Sequence, residues 1–204
     1  MSRASFRLTS GAVSVFVGTT YDPARRRVVL GLNPGDLRPG LEYVLTVTDP
    51  LRGWDGAALA SPYVVRFRAG DRVTVTPPAA PSLDEVASIF ARRCADGGCH
   101  AGPAPAMGLD LSSPLAIRRT AVGAPSVQRP GVSSASTDPR WASLLRVDPG
   151  VSDGVGRPGY SYLIYKLLGD GPMLGERMPR GAPPLSDDEV ALVSDWIAAG
   201  ARAP

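Results

Sequence analysis

A proline-rich stretch, Val73-Thr74-Val75-Thr76-Pro77-Pro78-Ala79-Ala80-Pro81-Ser82, divides this chain into two parts whose apolar residues recur with different periods. Proline fixes its own φ and donates no backbone hydrogen bond, so residues 73–82 read as a stiff linker. Before the linker the period is two, in Val13, Val15 and Val17, then Val28, Leu30 and Leu32, then Leu41, Tyr43, Leu45 and Val47, and last Tyr63, Val65 and Phe67. Such alternation turns every second side chain to one face, the pattern of half-buried β-strands. Tyr21-Asp22-Pro23, Asn33-Pro34-Gly35, Arg38-Pro39-Gly40 and Trp54-Asp55-Gly56 separate these runs with residues that favour turns. The expectation for residues 1–72 is an antiparallel β-sandwich. Arg25-Arg26-Arg27 stands beside the first turn and reads as a solvated hairpin end.

After the linker the period becomes helical. Ser82 with Glu85 forms a capping box, and Leu83, Val86 and Phe90 make an apolar stripe that leads into Cys94. Ser186 and Glu189 repeat the device ahead of Val190, Val193, Trp196 and Ile197, with Gly200 as the stop. Asp187, Asp188 and Glu189 are first-turn acids that complement the helix dipole. Tyr162-Leu163-Ile164-Tyr165-Lys166-Leu167-Leu168 before Gly169 predicts a third helix, and 101–158 reads as loop with a short helix near 114–121.

Composition narrows the function classes. Glycine at 23 and proline at 21 imply a loop-rich chain, yet 44% hydrophobic and 20% charged residues are ordinary for a soluble globular protein. A net charge of +3 is too small to argue for nucleic acid. No stretch has the length of a transmembrane helix.

The soft-ligand chemistry of the chain is concentrated in one segment, Cys94-Ala95-Asp96-Gly97-Gly98-Cys99-His100, which holds both cysteines and the single histidine. A cysteine pair followed at once by histidine is the attachment signature of c-type haem, with each thiol joined to a vinyl group and the imidazole placed to ligate iron. The usual spacing has two residues between the cysteines and this chain has four, Gly97 and Gly98 supplying the freedom a larger loop needs. Three other readings compete. A structural zinc site would need a carboxylate such as Asp96 or Asp110 as fourth ligand. A Cys94–Cys99 disulfide would close a small loop and leave the neighbouring histidine unexplained. Inert buried thiols fit poorly with a Gly-Gly loop.

The motifs carry two resemblances. "SFRLTSG", "YDPARRRVVLGL", "LRPGLEYVLTVT", "GWDGAAL" and "YVVRFRAG" resemble, in that order, the bacterial Ig-like domains of cell-envelope proteins. That family usually has one or two further strands ahead of the first of these. Residues 83–202 resemble the cytochrome c-like domains of myxobacterial and planctomycete envelope proteins, through "IFARRCADGGCH", "GLDLSS", "SYLIYKLLG" and "RMPRGAPPLSDDEVALVSDWIAAGA".

These resemblances imply a two-domain fold, an all-β Ig-like sandwich over 1–72 and a mainly α cytochrome c-like haem domain over 83–204. They imply one haem c, covalent through Cys94 and Cys99, with His100 as one axial ligand and a methionine before the last helix as the other. Met178, in a Met-Pro pair, occupies that place; Met173 in the same loop and Met107 are its rivals, and core packing is the alternative role for all three. Arg177 and Arg180 flank Met178 and are candidates to pair with haem propionates. Trp141, Tyr160, Tyr162 and Trp196 are candidates to wall the haem pocket. The carbonyl that orients the imidazole is expected near Pro103, Pro105 or Pro114.

With one histidine, bis-histidine ligation within the chain is ruled out. A thioether opposite an imidazole favours ferrous iron and suits a one-electron carrier with a redox partner protein more than a catalyst. The alternatives are a non-haem envelope binding module with a Cys94–Cys99 disulfide, or a haem enzyme or sensor whose sixth ligand leaves. Haem attachment in bacteria takes place outside the cytoplasmic membrane, so the expected location is the periplasm or outer envelope. Met1–Arg7 lacks the apolar core of a secretory signal, and the β part lacks its expected first strand. Both lead to the expectation of a precursor that extends upstream of Met1 and supplies any attachment to the envelope.

Overall fold

The computed structural model describes residues 5–33, 35–49, 51–53, 56–71, 79–128, 144–150, 155–171 and 173–202. The chain forms two compact units, Met1–Thr20 with Val28–Pro78, and Tyr21–Arg27 with Ala79–Pro204. Most of the proline-rich segment, 73–78, lies outside the described residues, as do Trp54, Asp55 and Trp141.

In the first unit β1 (Phe6–Ser10), β2 (Val13–Val15), β5 (Glu42–Val47) and β6 (Tyr63–Arg68) make an antiparallel sheet in the order β2-β1-β5-β6. A separate hairpin pairs β3 (Gly18–Asp22) with β4 (Arg27–Gly31). The register sets Leu8 opposite Leu45, Leu45 opposite Val65 and Tyr43 opposite Phe67, so the alternating apolar residues share one face. Phe6, Leu8, Val17 and Tyr43 are buried there, with Val28, Leu30 and Phe67 packed against them. The Tyr43 and Phe67 rings stack with centroids 5.6 Å apart, and the Tyr43 hydroxyl accepts the Arg38 N–H at 2.8 Å.

The second unit contains α1 (Leu83–Arg93), α2 (Pro114–Thr120), α3 (Tyr162–Leu168) and α4 (Asp187–Ala198). Both capping boxes form: the Ser82 and Ser186 hydroxyls accept from the N–H of Glu85 and Glu189, whose carboxylates reach back to the serine N–H. Gly169 closes α3 with φ of 71°. α4 packs on α1 and α3, and α2 packs on α1. Their shared core includes Leu83, Phe90, Ile117, Ile164, Val193 and Trp196.

The architecture expected from the resemblances is not the one the chain adopts. Among the described residues the fold is mixed, 26% helical and 23% strand, with six strands in two small antiparallel sheets and four α-helices. The Ig-like sandwich fails because the second sheet is a single hairpin and β2 has only three residues, too little to make a second full layer. The C-terminal part is not mainly α because its helices are short and far apart in the chain, with proline- and glycine-rich segments between them. Isolated bridges such as Val122 with Val147 and Leu145 with Ser161, together with turn hydrogen bonds, satisfy the backbone there.

Arg25, Arg26 and Arg27 are exposed at the hairpin end, and two of them are also tied to a buried carboxylate. Arg25 makes a bidentate pair with Asp195, at 2.8 and 2.7 Å, and bonds Asp22 at 3.0 Å. Asp22 is buried and also accepts from the Ser194 hydroxyl at 2.9 Å and Arg27 Nε at 3.2 Å. The tip of the hairpin, Tyr21–Arg27, therefore belongs to the second unit. Within the same unit Gly156 donates to the Ala198 carbonyl at 3.0 Å, and a Cβ there would stand 1.7 Å from the Ile197 carbonyl oxygen. Only glycine fits so close an approach.

Candidate functional site

α1 ends where the cysteine loop begins. The N–H groups of Cys94 and Ala95 both donate to the Phe90 carbonyl, at 2.8 and 3.0 Å. The chain then turns through Gly98, whose φ of +91° suits glycine, and the Cys99 N–H donates to Asp96 O at 2.9 Å. The His100 N–H returns to the Cys94 carbonyl at 3.2 Å, and the Leu111 N–H donates to the His100 carbonyl at 2.8 Å. The two extra residues between the cysteines are thus absorbed in a closed, hydrogen-bonded loop.

Cys94 and Cys99 are free thiols, the first buried and the second exposed. Burial pushes the Cys94 thiol up to about 11, against the opposing pull of Arg93, so it stays protonated at neutral pH. His100 Nδ1 lies 3.1 Å from the Leu109 carbonyl oxygen. A carbonyl can only accept, so Nδ1 carries a proton, which makes Nε2 the nitrogen whose lone pair is available for ligation in the neutral tautomer. That is the arrangement of a metal-ligating histidine whose second nitrogen is fixed by the backbone. The acceptor is Leu109, not a carbonyl beside Pro103, Pro105 or Pro114.

Cys94, Cys99, His100 and Met178 line one cavity of about 420 Å³. Its apolar wall includes Leu109, Leu111, Leu163 and Leu167, and its volume falls in the range of roughly 300–1,000 Å³ typical of cofactor and small-molecule sites. Met107 reaches the same cavity from an exposed turn, while Met173 lies outside the lining. Among the described residues no three His, Cys, Asp or Glu side chains converge to hold an ion. The four-ligand zinc arrangement is therefore not built, and Asp110 instead accepts the Ser112 N–H at 2.9 Å.

The Met178 segment is fastened to α3. Its N–H donates to the Lys166 carbonyl at 2.8 Å, and Arg177 Nε donates to the Leu167 carbonyl at 2.7 Å. Lys166 Nζ bonds the carbonyls of Leu174, at 2.9 Å, and Glu176, while the Leu174 N–H donates to the Tyr162 hydroxyl at 2.9 Å. Burial lowers the Lys166 ammonium and raises the Tyr162 phenol from their ordinary values.

Arg177 does not line the cavity; its stem packs against Gly169, and it acts as a tie between loop and helix. Arg180 lines the cavity and pairs with Glu176 at 2.6 Å. Of the aromatic residues expected at the wall, Tyr162 is there. Trp196 is buried in the helical core with its Nε1 donating to the Arg202 carbonyl, and Tyr160 is exposed beneath the Arg157 guanidinium.

Three cationic residues at the cavity escaped the sequence reading. Arg93 uses Nη2 on the Pro183 and Pro184 carbonyls, at 2.9 and 2.8 Å, while its buried Nε has no partner among the described residues. Arg146 bonds the carbonyls of Gly108, Thr120 and Met107, and burial lowers its pKa; among the described residues no carboxylate pairs with it. Lys166 is the third. With Arg180 these face a single lining carboxylate, Asp96. The lining thus carries more positive than negative residues, a balance that suits a cavity occupant with carboxylates. The sequence signals were the position of Arg93 directly before Cys94 and the use of lysine only once in the chain.

Comparison of the chain with protein-family models, with curated proteins and with solved structures finds no match. Among the described residues no helix is long and apolar enough to cross a membrane.

Proposed function

We propose that this protein is an extracytoplasmic electron carrier that holds one haem c, joined through Cys94 and Cys99, with His100 and Met178 as axial ligands. The observation that supports it most is that one cavity is lined by both cysteines, the histidine and a methionine distant in sequence. Bound there, the haem would supply an iron that takes up and releases one electron.

The rest of the chemistry belongs to the chain. The Leu109 carbonyl fixes the His100 tautomer, so Nε2 presents its lone pair without a preceding proton shift. With His100, the Met178 thioether would hold the iron, and a thioether ligand would favour its ferrous state and raise the reduction potential. Leucines of the wall exclude water, and Arg93, Arg146 and Arg180 offer cationic donors to propionate carboxylates. Filling both axial positions suits electron exchange with a redox partner protein in the periplasm or outer envelope. The likeness of residues 83–202 to cytochrome c-like domains then rests on motif chemistry and not on helical content.

Intact mass and reduced absorbance test the reading, on protein made in a host with haem-attachment machinery. A mass increase of one haem and sharp c-type bands are expected, both lost in the Cys94→Ala, Cys99→Ala double variant. Parent protein that leaves the same host without covalent haem would overturn the proposal.

A further inference from the structure

The chain has 22 basic Lys and Arg residues, and all but one are arginine; the exception, Lys166, is the least exposed of those among the described residues. A lysine on the solvent side of a helix would need no explanation. Lys166 instead turns inward at the cavity wall, 7% exposed, and its ammonium bonds the carbonyls of Leu174 and Glu176. Its own carbonyl receives the Met178 N–H at 2.8 Å. One residue of α3 thus grips the methionine loop from both ends, by its side chain at 174 and 176 and by its backbone at 178. A compact ammonium with three N–H donors can serve two neighbouring carbonyls in this space.

We propose that Lys166 is the positioning residue for Met178, fixing the loop so that the thioether stands at the cavity wall; this rests on the haem reading above. The side-chain grip is the part that can be removed without touching a ligand. Without it, the loop retains the Met178 N–H bond and the Arg177 and Tyr162 ties but loses two charge-assisted hydrogen bonds ahead of the methionine. The methionine should then leave the iron more often while the thioether links stay intact.

The test compares holoprotein with Lys166→Met, which keeps the stem and removes the donors, and with Lys166→Gln, which keeps two donors on a shorter stem. Covalent haem content should be unchanged. The near-infrared band of ferric iron–methionine coordination should weaken in Lys166→Met, and carbon monoxide binding to the reduced form should rise about tenfold or more, with Lys166→Gln between that variant and parent. Parent-like band and carbon monoxide binding in Lys166→Met would overturn the proposal.

A second measurement is independent of haem and of the variants' folding. Selective ¹⁵N-lysine labelling of the full chain yields one side-chain signal, whose protons should exchange slowly if the ammonium is held by the two carbonyls. Fast, solvent-like exchange in the parent would sink the clamp even if the haem reading stands. Slow exchange in a parent that takes up no haem would uphold the clamp, overturn its role at the iron and sink the haem reading.

Discussion

His100 and Met178 show how much a single residue's meaning depends on its neighbours. A lone histidine after a cysteine is legible as a ligand candidate from sequence, because no other imidazole exists to compete with it. Its tautomer is not, since the Leu109 carbonyl that sets it comes from a turn beyond the cysteine loop. Three methionines compete in the sequence; two reach the cavity, and of these Met107 is 55% exposed whereas Met178 is half-buried and tied to α3. In the holoprotein, Met178→Ala is expected to keep both thioether links, lose the near-infrared band, lower the reduction potential and open the reduced iron to carbon monoxide. Met107→Ala and Met173→Ala should leave the spectrum of the parent. Potentiometry and carbon monoxide titration check this, and loss of the band in Met173→Ala instead would reassign the ligand.

At the scale of elements the capping signals were the most legible part of the chain. Both Ser-x-x-Glu boxes, the glycine stop after α3 and the short helix at 114–120 follow from local chemistry, in which a side chain satisfies a backbone group three residues away. Glu85 gives α1 a pH dependence. Hydrogen bonds from the Ser82 N–H, at 2.7 Å, and hydroxyl, at 2.8 Å, hold its carboxyl below the ordinary 4.5. The folded state therefore binds this proton less readily than the unfolded chain. Its stabilisation is full above pH 4.5 and is lost as pH falls through the lower, folded value. Thermal midpoints measured from about pH 6 down to about pH 3 should fall less steeply in Glu85→Gln than in the parent. Equal slopes would show that the box contributes nothing in acid. The β-strands were legible in period but not in number or pairing, because alternation marks a buried face without saying what covers it.

At the scale of the whole molecule, the hairpin tip decides the division of the chain. Residues 21–27 lie far from Ser194 and Asp195 in sequence, yet Asp22 gathers Arg25, Arg27 and Ser194 around one buried carboxylate. Removing it would leave the Ser194 hydroxyl without its acceptor, while Arg25 would keep Asp195 and the exposed Arg27 would turn to water. Asp22→Ala is expected to destabilise the protein by about 1–3 kcal/mol in denaturant unfolding, the lower end reflecting the partial exposure of both arginines. Arg26→Ala removes only an exposed pair at 3.8 Å and should change stability by less than about 0.5 kcal/mol. Similar losses from the two would show that the buried cluster has no special role.

Local chemistry determined what could be read from the residues in order: the caps, the turns, the two hydrophobic periods and the supply of thiol, imidazole and thioether ligands. Each of these acts over a few residues, within the reach of a side chain from its own backbone. The tertiary structure alone decided which of them meet. It made the second sheet a lone hairpin, set the exposed Arg25 and Arg27 on the buried Asp22 carboxylate, and separated Arg177 from the cavity while bringing in Arg93, Arg146 and Lys166. Those outcomes depend on contacts between residues far apart in the chain and on which donors are left unpaired after packing, and neither period nor composition records them.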